Sequence, residues 1–213
     1  MKIIDILERH YRTLPAYQIA KSSFAATANP KLKGGYLKQE GDAAFIMFND
    51  YMRKNGFNKL GQGSFGAVYE RPGYPWIFKL FANDAAYKAW IDYVVQNQGN
   101  EHLPKIRGKP FKINDGVFAV RMEKLDNLPK NWDQNPVIDT IMYSHIKSSK
   151  TKEKLTNLGH ADLIPVLEEI EKLAYDDHSK NWAKDLHSAN LMMRGNIPVI
   201  TDPIVDSDAF KIN

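Results

Sequence analysis

Asp185-Leu-His-Ser-Ala-Asn190, with Thr201-Asp202-Pro203 beginning eleven residues beyond Asn190, decides how this 213-residue chain is read. The D-x-x-x-x-N spacing is that of a phosphotransfer catalytic loop. Residues 191–194 and 197–201 between them read as extended structure. Two carboxylates and an amide so spaced suit a hard cation with oxygen ligands. Asp185 would receive or orient a hydroxyl proton, while Asn190 and Asp202 would hold Mg²⁺ against phosphates. Asp and Asn are also common turn formers, and for either residue alone that is the simpler reading. The case for chemistry rests on what stands upstream, in the right order.

Upstream lies Gly61-Gln62-Gly63-Ser64-Phe65-Gly66-Ala67-Val68, which fills every position of G-x-G-x-x-G-x-V and follows the strand-like residues 57–60. Glycine lets a backbone approach phosphate oxygens with no Cβ in the way. Alone, such a run is weak, since a hairpin with a flexible tip looks the same. A dinucleotide fold wants a helix directly after the glycines, whereas Ala67, Val68 and Tyr69 favour a strand. The loop therefore reads as lying over phosphates between two antiparallel strands. Lys79, thirteen residues after Gly66, is the one charge in Trp76-Ile-Phe-Lys79-Leu-Phe81. A lysine among apolar residues either snorkels or meets an anion. With the glycine loop one strand earlier, the V-A-I-K position is the better reading, and Lys79 would hold the α- and β-phosphates of a nucleotide.

The composition is ordinary for a globular protein: 43% hydrophobic, 25% charged, net charge +4 and no cysteine. A chain of this length should bury about 70% of its unfolded surface, enough for one substantial core or two small lobes. Collagen, low-complexity disorder and disulfide-stapled scaffolds are excluded. Without cysteine there is no disulfide, thiolate metal site or cysteine nucleophile. No run approaches the ~20 apolar residues of a membrane span. A charge of +4 over scattered lysines is too weak a field to argue for nucleic acid.

Helical patterns fall at residues 2–14, 42–55, 84–98 (capped by Asn83, with Ala85, Ala89 and Tyr93 along one side), 136–147 and 161–175. Strands are expected over 57–69, 76–81, 105–112 and 116–124. Residues 21–39 read as a loop, and 147–158 as a polar, lysine-rich connection. A strand-rich first half and a helix-rich second half indicate α+β with two lobes. The expected domains are a helical extension (1–56), a strand-rich lobe (57–127) and a shortened helical lobe (128–213). Six scattered histidines show no metal-ligand spacing, and His160 and His178 have no partner visible in the sequence. His187 is a structural or surface histidine as readily as one that positions the loop. Trp182 reads as core.

Together these pieces resemble the protein-kinase-like fold, in a minimal bilobal form with a strand-rich N-lobe and a truncated helical C-lobe. The wording of Asp185-Leu-His-Ser-Ala-Asn-Leu-Met-Met193 and Ile197-Pro-Val-Ile-Thr-Asp-Pro203, with Leu60-Gly-Gln-Gly63 and Ala85-Ala-Tyr87, is similar to the early serine/threonine kinases of short-tailed bacteriophages. The resemblance runs from about residue 57 to 203. It implies ATP and Mg²⁺ as cofactors, Met122 at the gatekeeper position, and Glu123 and Leu125 offering backbone groups to adenine. It further implies phosphorylation of Ser/Thr in host proteins within the bacterial cytoplasm.

The sequence departs from the kinase pattern at four places. Ala183-Lys184 stands where a His-Arg pair usually precedes the catalytic Asp. Asp202-Pro203-Ile204 replaces D-F-G, and proline removes the backbone freedom of glycine. Eleven residues follow Asp202, which leaves no room for a regular activation segment. The helix after Lys79 has no Glu, and Asp92 is the best substitute partner. These departures agree with one another and describe a small, constitutively competent kinase, with substrate docking left to the first 56 residues or the 147–154 lysines. Two other readings stand beside it. Asp185-x-His187-x-x-Asn190 also resembles the aminoglycoside phosphotransferases, which phosphorylate small molecules. A pseudokinase that only captures a host factor is the third reading, favoured mildly by Ala183 and Pro203 and opposed by retention of Lys79, Asp185, Asn190 and Asp202.

Overall fold

The computed structural model describes residues 49–207, except 51, 64–65, 83, 115–116 and 178. The helix expected at 2–14, the 21–39 loop, most of the 42–55 helix, the glycine-loop tip at Ser64 and Phe65, and His178 lie outside those residues. The end of the 42–55 helix falls where its pattern predicts. Phe57 N–H donates to Met52 O at 2.9 Å and Gly56 N–H to Arg53 O at 3.0 Å, with Gly56 at φ +79°. This closure caps the last carbonyls and needs a residue that tolerates the left-handed region.

The chain then forms a hairpin of β1 (Asn58–Gln62) and β2 (Gly66–Glu70), closed by Gly63 N–H donating to Gly66 O at 2.8 Å. A register shift between Lys59 and Gly61 leaves Leu60 as a bulge. β2 pairs antiparallel with β3 (Trp76–Ala82). With β4 (Phe111–Asn114) and β5 (Val117–Glu123) they make one sheet in the order β1-β2-β3-β5-β4. The period of two shows in β2, where Ala67 and Tyr69 are buried and Gly66, Val68 and Glu70 are half-buried. Tyr69 donates its hydroxyl to Asn49 Oδ1 at 2.5 Å, and burial pushes that phenol's pKa up. Phe81 stacks on Phe118 with ring centroids 5.6 Å apart. The strand expected at 105–112 begins only at Phe111, because Pro104, Gly108 at φ +76° and Pro110 keep the preceding stretch irregular.

Helix α1 (Ala85–Gln96) is capped by Asp84, whose Oδ1 accepts from Tyr87 N–H at 2.8 Å, one residue beyond the expected cap. Its buried stripe is Ala86, Tyr87, Trp90, Ile91 and Val94 rather than Ala85, Ala89 and Tyr93. Trp90, Ile91 and Val94 offer far more apolar surface than the alanines and so claim the core. The two-residue strand β6 (Asp126–Asn127) precedes helix α2 (Pro136–Tyr143), which starts with Pro in its first turn and Asn135 accepting from Val137 and Ile138 N–H. It stops at Tyr143 instead of 147, as Ser144 turns extended and Ile146 N–H is taken by the buried Glu171.

The 147–158 stretch is not a connection but contains helix α3 (Ser149–Asn157), because Thr151 and Leu155, four apart, bury one face. Two of its lysines form ion pairs, Lys152 with Glu168 at 2.6 Å and Lys154 with Asp139 at 3.3 Å. Helix α4 (Leu163–Tyr175) follows, with Leu163, Val166, Leu167, Ile170 and Ala174 buried on a 3.6-residue period. The remaining strands are β7 (Trp182–Lys184), β8 (Leu191–Arg194), β9 (Ile197–Ile200) and β10 (Ile204–Asp206). β6, β8 and β9 form a small sheet in that order, and β10 pairs with β7. Helix α1 packs on β10 and α4, and α4 on β7. Trp182 is half-buried, with Lys180 Nζ 4.4 Å from its ring centre.

The described chain forms two compact units: residues 49–82 with Gly108–Met122, and Asp84–Arg107 with residues 123–207. The first is nearly all strand. The second is four helices and two small sheets, so the fold class is α+β. The units interleave along the chain, because α1 and the segment after it pack with the later helices although they lie between β3 and β4 in sequence. Among the described residues no helix is long and apolar enough to cross a membrane.

Candidate active site

The second unit gathers Asp185, His187, Asn190 and Thr201–Pro203 into one hydrogen-bonded knot. β7 and β10 pair with Lys184 opposite Ile204, so Asp185 leaves one strand where Pro203 enters the other. Asp185 N–H donates to Pro203 O at 2.7 Å, which continues the ladder by one step. The proline directly after Asp202 is thereby explained locally: Pro203 is buried and its carbonyl is what holds Asp185, so a fixed φ suits the position. Asp202 sits one residue before this clasp.

Asn190, only 9% exposed, ties the loop to itself and to the next strand. Its Nδ2 donates to Asp185 O at 2.7 Å and to Asp185 Oδ2 at 3.0 Å. Its backbone carbonyl accepts from Thr201 N–H at 2.9 Å and from Thr201 Oγ1 at 3.0 Å. A flipped amide would set its oxygen against a carbonyl and a carboxylate, so the orientation is fixed by chemistry. With Nδ2 committed to Asp185, Oδ1 is the atom the amide has for a cation. This donor set of amide oxygen and carboxylates fits Mg²⁺, which takes oxygen ligands only.

His187 is exposed and caps the loop. Its Nδ1 accepts from Ala189 N–H at 3.2 Å, and Nε2 lies 3.5 Å from Asp185 Oδ1. Nε2 also lies 3.0 Å from Asn190 Nδ2. The short helical turn Ser188–Asn190 is thus held by a histidine cap, an arrangement that spacing alone does not reveal.

In the first unit, Lys79 on β3 is the cross-strand partner of Val68 on β2. A Cβ added to Gly66 would stand 2.8 Å from Leu80 O and 3.6 Å from Lys79 Cε, so the lysine stem runs beside the end of the glycine loop. Gly61 and Gly63 differ, since a Cβ on either meets nothing within 4 Å among the described residues. Gly66 is required by the sheet. Gly61 and Gly63 leave open space, as a loop admitting phosphate oxygens would. Gln62 accepts from Lys59 Nζ at 3.0 Å.

Met122, at the end of β5, is 3% exposed. Glu123 is pinned at both backbone and side chain. Its N–H donates to Lys105 O at 2.9 Å, and its carboxylate takes Lys105 N–H at 2.7 Å together with the Arg194 guanidinium. A backbone contact from Glu123 to adenine would therefore use its carbonyl. Arg194 also donates to Glu101 O at 2.5 Å and Leu103 O at 2.9 Å. The sequence reading passed over this arginine, since nothing in the spacing links position 194 to 123. Leu125 is half-buried just before β6. Asp92 takes Lys88 Nζ at 2.6 Å, an ion pair four residues apart on the surface of α1.

A family profile described as bacteriophage T7 protein kinase 0.7 matches residues 25–211 of the chain. A comparison with curated protein sequences gives no match. Among solved structures, Rad53 1–466 in complex with AMP-PNP aligns over 74% of this chain and 42% of its own, at 14% identity and TM-score 0.38. The Cydia pomonella granulovirus kinase PK-1 aligns over 72% and 55%, at 13% identity and TM-score 0.37. A thermostable mutant of the aminoglycoside phosphotransferase APH(4)-Ia, solved with ADP and hygromycin B, aligns over 74% and 72%, at 12% identity and TM-score 0.36. The chain spans less than two thirds of the length of the first two.

Proposed function

The chain belongs to the bacteriophage T7 protein kinase 0.7 family, and from that premise we propose that it transfers the γ-phosphoryl group of ATP to serine and threonine hydroxyls of host proteins in the bacterial cytoplasm. The observation that carries this reading is the clasp of Asp185 by Pro203 O and Asn190 Nδ2. A phosphoryl transfer needs little covalent help, so positioning and electrostatics do the work. Asp185 is held at its backbone N–H, its carbonyl and one carboxylate oxygen. Its carboxylate is thereby set to accept or align the proton of an incoming hydroxyl. His187 Nε2 lies 3.5 Å from the other carboxylate oxygen. Asn190 Oδ1 and Asp202 are the residues that would hold Mg²⁺, which supplies charge neutralisation to the phosphates when bound. Within the strand-rich unit, the backbone of Gly61 and Gly63 and the ammonium of Lys79 are the groups suited to phosphate charge.

The test is labelled ATP with Mg²⁺ and host extract, followed by mass spectrometry of the modified sites. Asp185→Asn is expected to lower transfer about 10²- to 10⁴-fold, the usual contribution of a positioned base, while nucleotide binding persists. Equal labelling by wild type and Asp185→Asn would remove Asp185 from its role. Labelled metabolites without labelled protein would move the assignment to small-molecule phosphotransfer, and binding without any transfer would make the chain a capture module.

A further inference from the structure

We propose that Glu101, His102, His160 and Asp162 form a second metal site, separate from the catalytic loop and suited to a zinc-class divalent ion. His102 follows α1 and has a fully buried side chain. Its Nδ1 lies 2.7 Å from Pro198 O, and since a carbonyl only accepts, that nitrogen carries the proton. In the neutral ring Nε2 is then the nitrogen that accepts or ligates. It points at His160 Nδ1 at 3.1 Å, Asp162 Oδ1 at 3.3 Å and Glu101 Oε1 at 4.0 Å. One ligand atom from each of the four residues lies within 4.8 Å of all the others.

With His160 as the tautomer whose Nδ1 is unprotonated, in place of the Nδ1–H that would donate to His102 Nε2 at 3.1 Å, all four atoms are Lewis bases that a shared cation would hold together. Zinc bonds of about 2.0–2.2 Å to N and O place neighbouring tetrahedral ligands roughly 3.3–3.5 Å apart. The two short separations already suit that geometry. The Glu101 carboxylate must swing inward, and at 49% exposure it is free to do so. An N₂O₂ set favours zinc over Mg²⁺ or Ca²⁺, which prefer oxygen alone.

Two further observations show a frame built around these atoms. The carbonyl on Nδ1 is the outer partner that fixes tautomer and ring orientation in histidine metal ligands. Asp162 occupies the N-cap position of α4 yet makes no capping hydrogen bond. An N-cap aspartate normally turns to its own helix amides; this one faces His102. The backbones are held as well. Asn100 accepts from His102 N–H at 2.9 Å and donates to Asp162 O at 2.7 Å, and His160 N–H donates to Leu155 O at 2.9 Å. With four protein ligands the site is closed, hence structural. It fastens the segment after α1, the start of α4 and β9 to one another. His102 O also accepts from Ile200 N–H at 3.0 Å, two residues before Asp202.

The experiment uses the full chain without an affinity tag, stripped with chelator and titrated with Zn²⁺ by calorimetry and with Co²⁺ by visible absorption. One equivalent should bind, Co²⁺ should give the intense bands of a four-coordinate ion, and the melting temperature should rise with Zn²⁺. His160→Ala and Asp162→Asn, both at incompletely buried positions, should each weaken Zn²⁺ binding at least about tenfold with unchanged far-ultraviolet dichroism. Asp202→Asn should leave it intact. No stoichiometric binding, undiminished affinity in His160→Ala, or loss of the ion in Asp202→Asn would each overturn the proposal.

Discussion

Three glycines of one loop should respond to alanine in opposite directions. At Gly66 the new Cβ would stand 2.8 Å from Leu80 O, a backbone atom of the strand paired with β2. It cannot swing away as a side chain would, so β2 and β3 must part near the Gly66–Phe81 pair. Overpacking of this kind costs about 1–3 kcal/mol, and the restricted unfolded chain returns about 0.4–1 kcal/mol. The net loss is about 1–2 kcal/mol, or roughly 2–8 °C in Tm for a domain of this size. Gly61→Ala and Gly63→Ala meet nothing within 4 Å among the described residues and sit outside the left-handed region. They should stabilise the fold by about 0.4–1 kcal/mol and still weaken nucleotide binding, since the added Cβ occupies the approach to the phosphates. Urea unfolding and the affinity for a non-hydrolysable ATP analogue read the two effects separately. The reasoning fails if Gly61→Ala destabilises as much as Gly66→Ala, or if it leaves nucleotide affinity untouched.

Arg194→Ala strips the guanidinium from a Glu123 carboxylate that is only 14% exposed; a loss of about 2–3 kcal/mol is expected in chemical unfolding. Arg194→Lys should restore only part, because one ammonium cannot reproduce the forked contacts, and full recovery would show that charge alone matters. Leu155→Ala, at a fully buried position of α3, should cost about 2–5 kcal/mol; a negligible effect would return the stretch to a solvated connection. The Asp177 carboxyl is held down to about 2, first by the Ser179 hydroxyl at 2.6 Å, then by Lys180 and Ser179 N–H. A depressed carboxyl stabilises the fold above the ordinary carboxylate range, and that contribution disappears as pH falls toward 2. Carboxyl NMR titration should show the low value in wild type and an upward move in Ser179→Ala; an ordinary value in wild type would refute the assignment.

Residue order alone determined the α+β class, the β1–β2 hairpin, the strands β3, β8 and β9, and α4, because each carries its own period or turn chemistry. It also marked Asp185, Asn190 and Asp202 as one constellation, since their spacing is short enough to be a local property. Where the reading erred, local pattern lost to packing. Residues 147–158 look solvated until α3 is seen to bury Thr151 and Leu155, and the stripe of α1 turned toward Trp90 because the largest apolar side chains take the core. Contacts between distant segments could only come from the tertiary structure. The Arg194–Glu123 pair spans 71 positions and the His102–His160 contact 58. A hydrogen bond or ligand set of that kind leaves no periodicity along the chain, because its partners meet only after the helices and strands between them have packed.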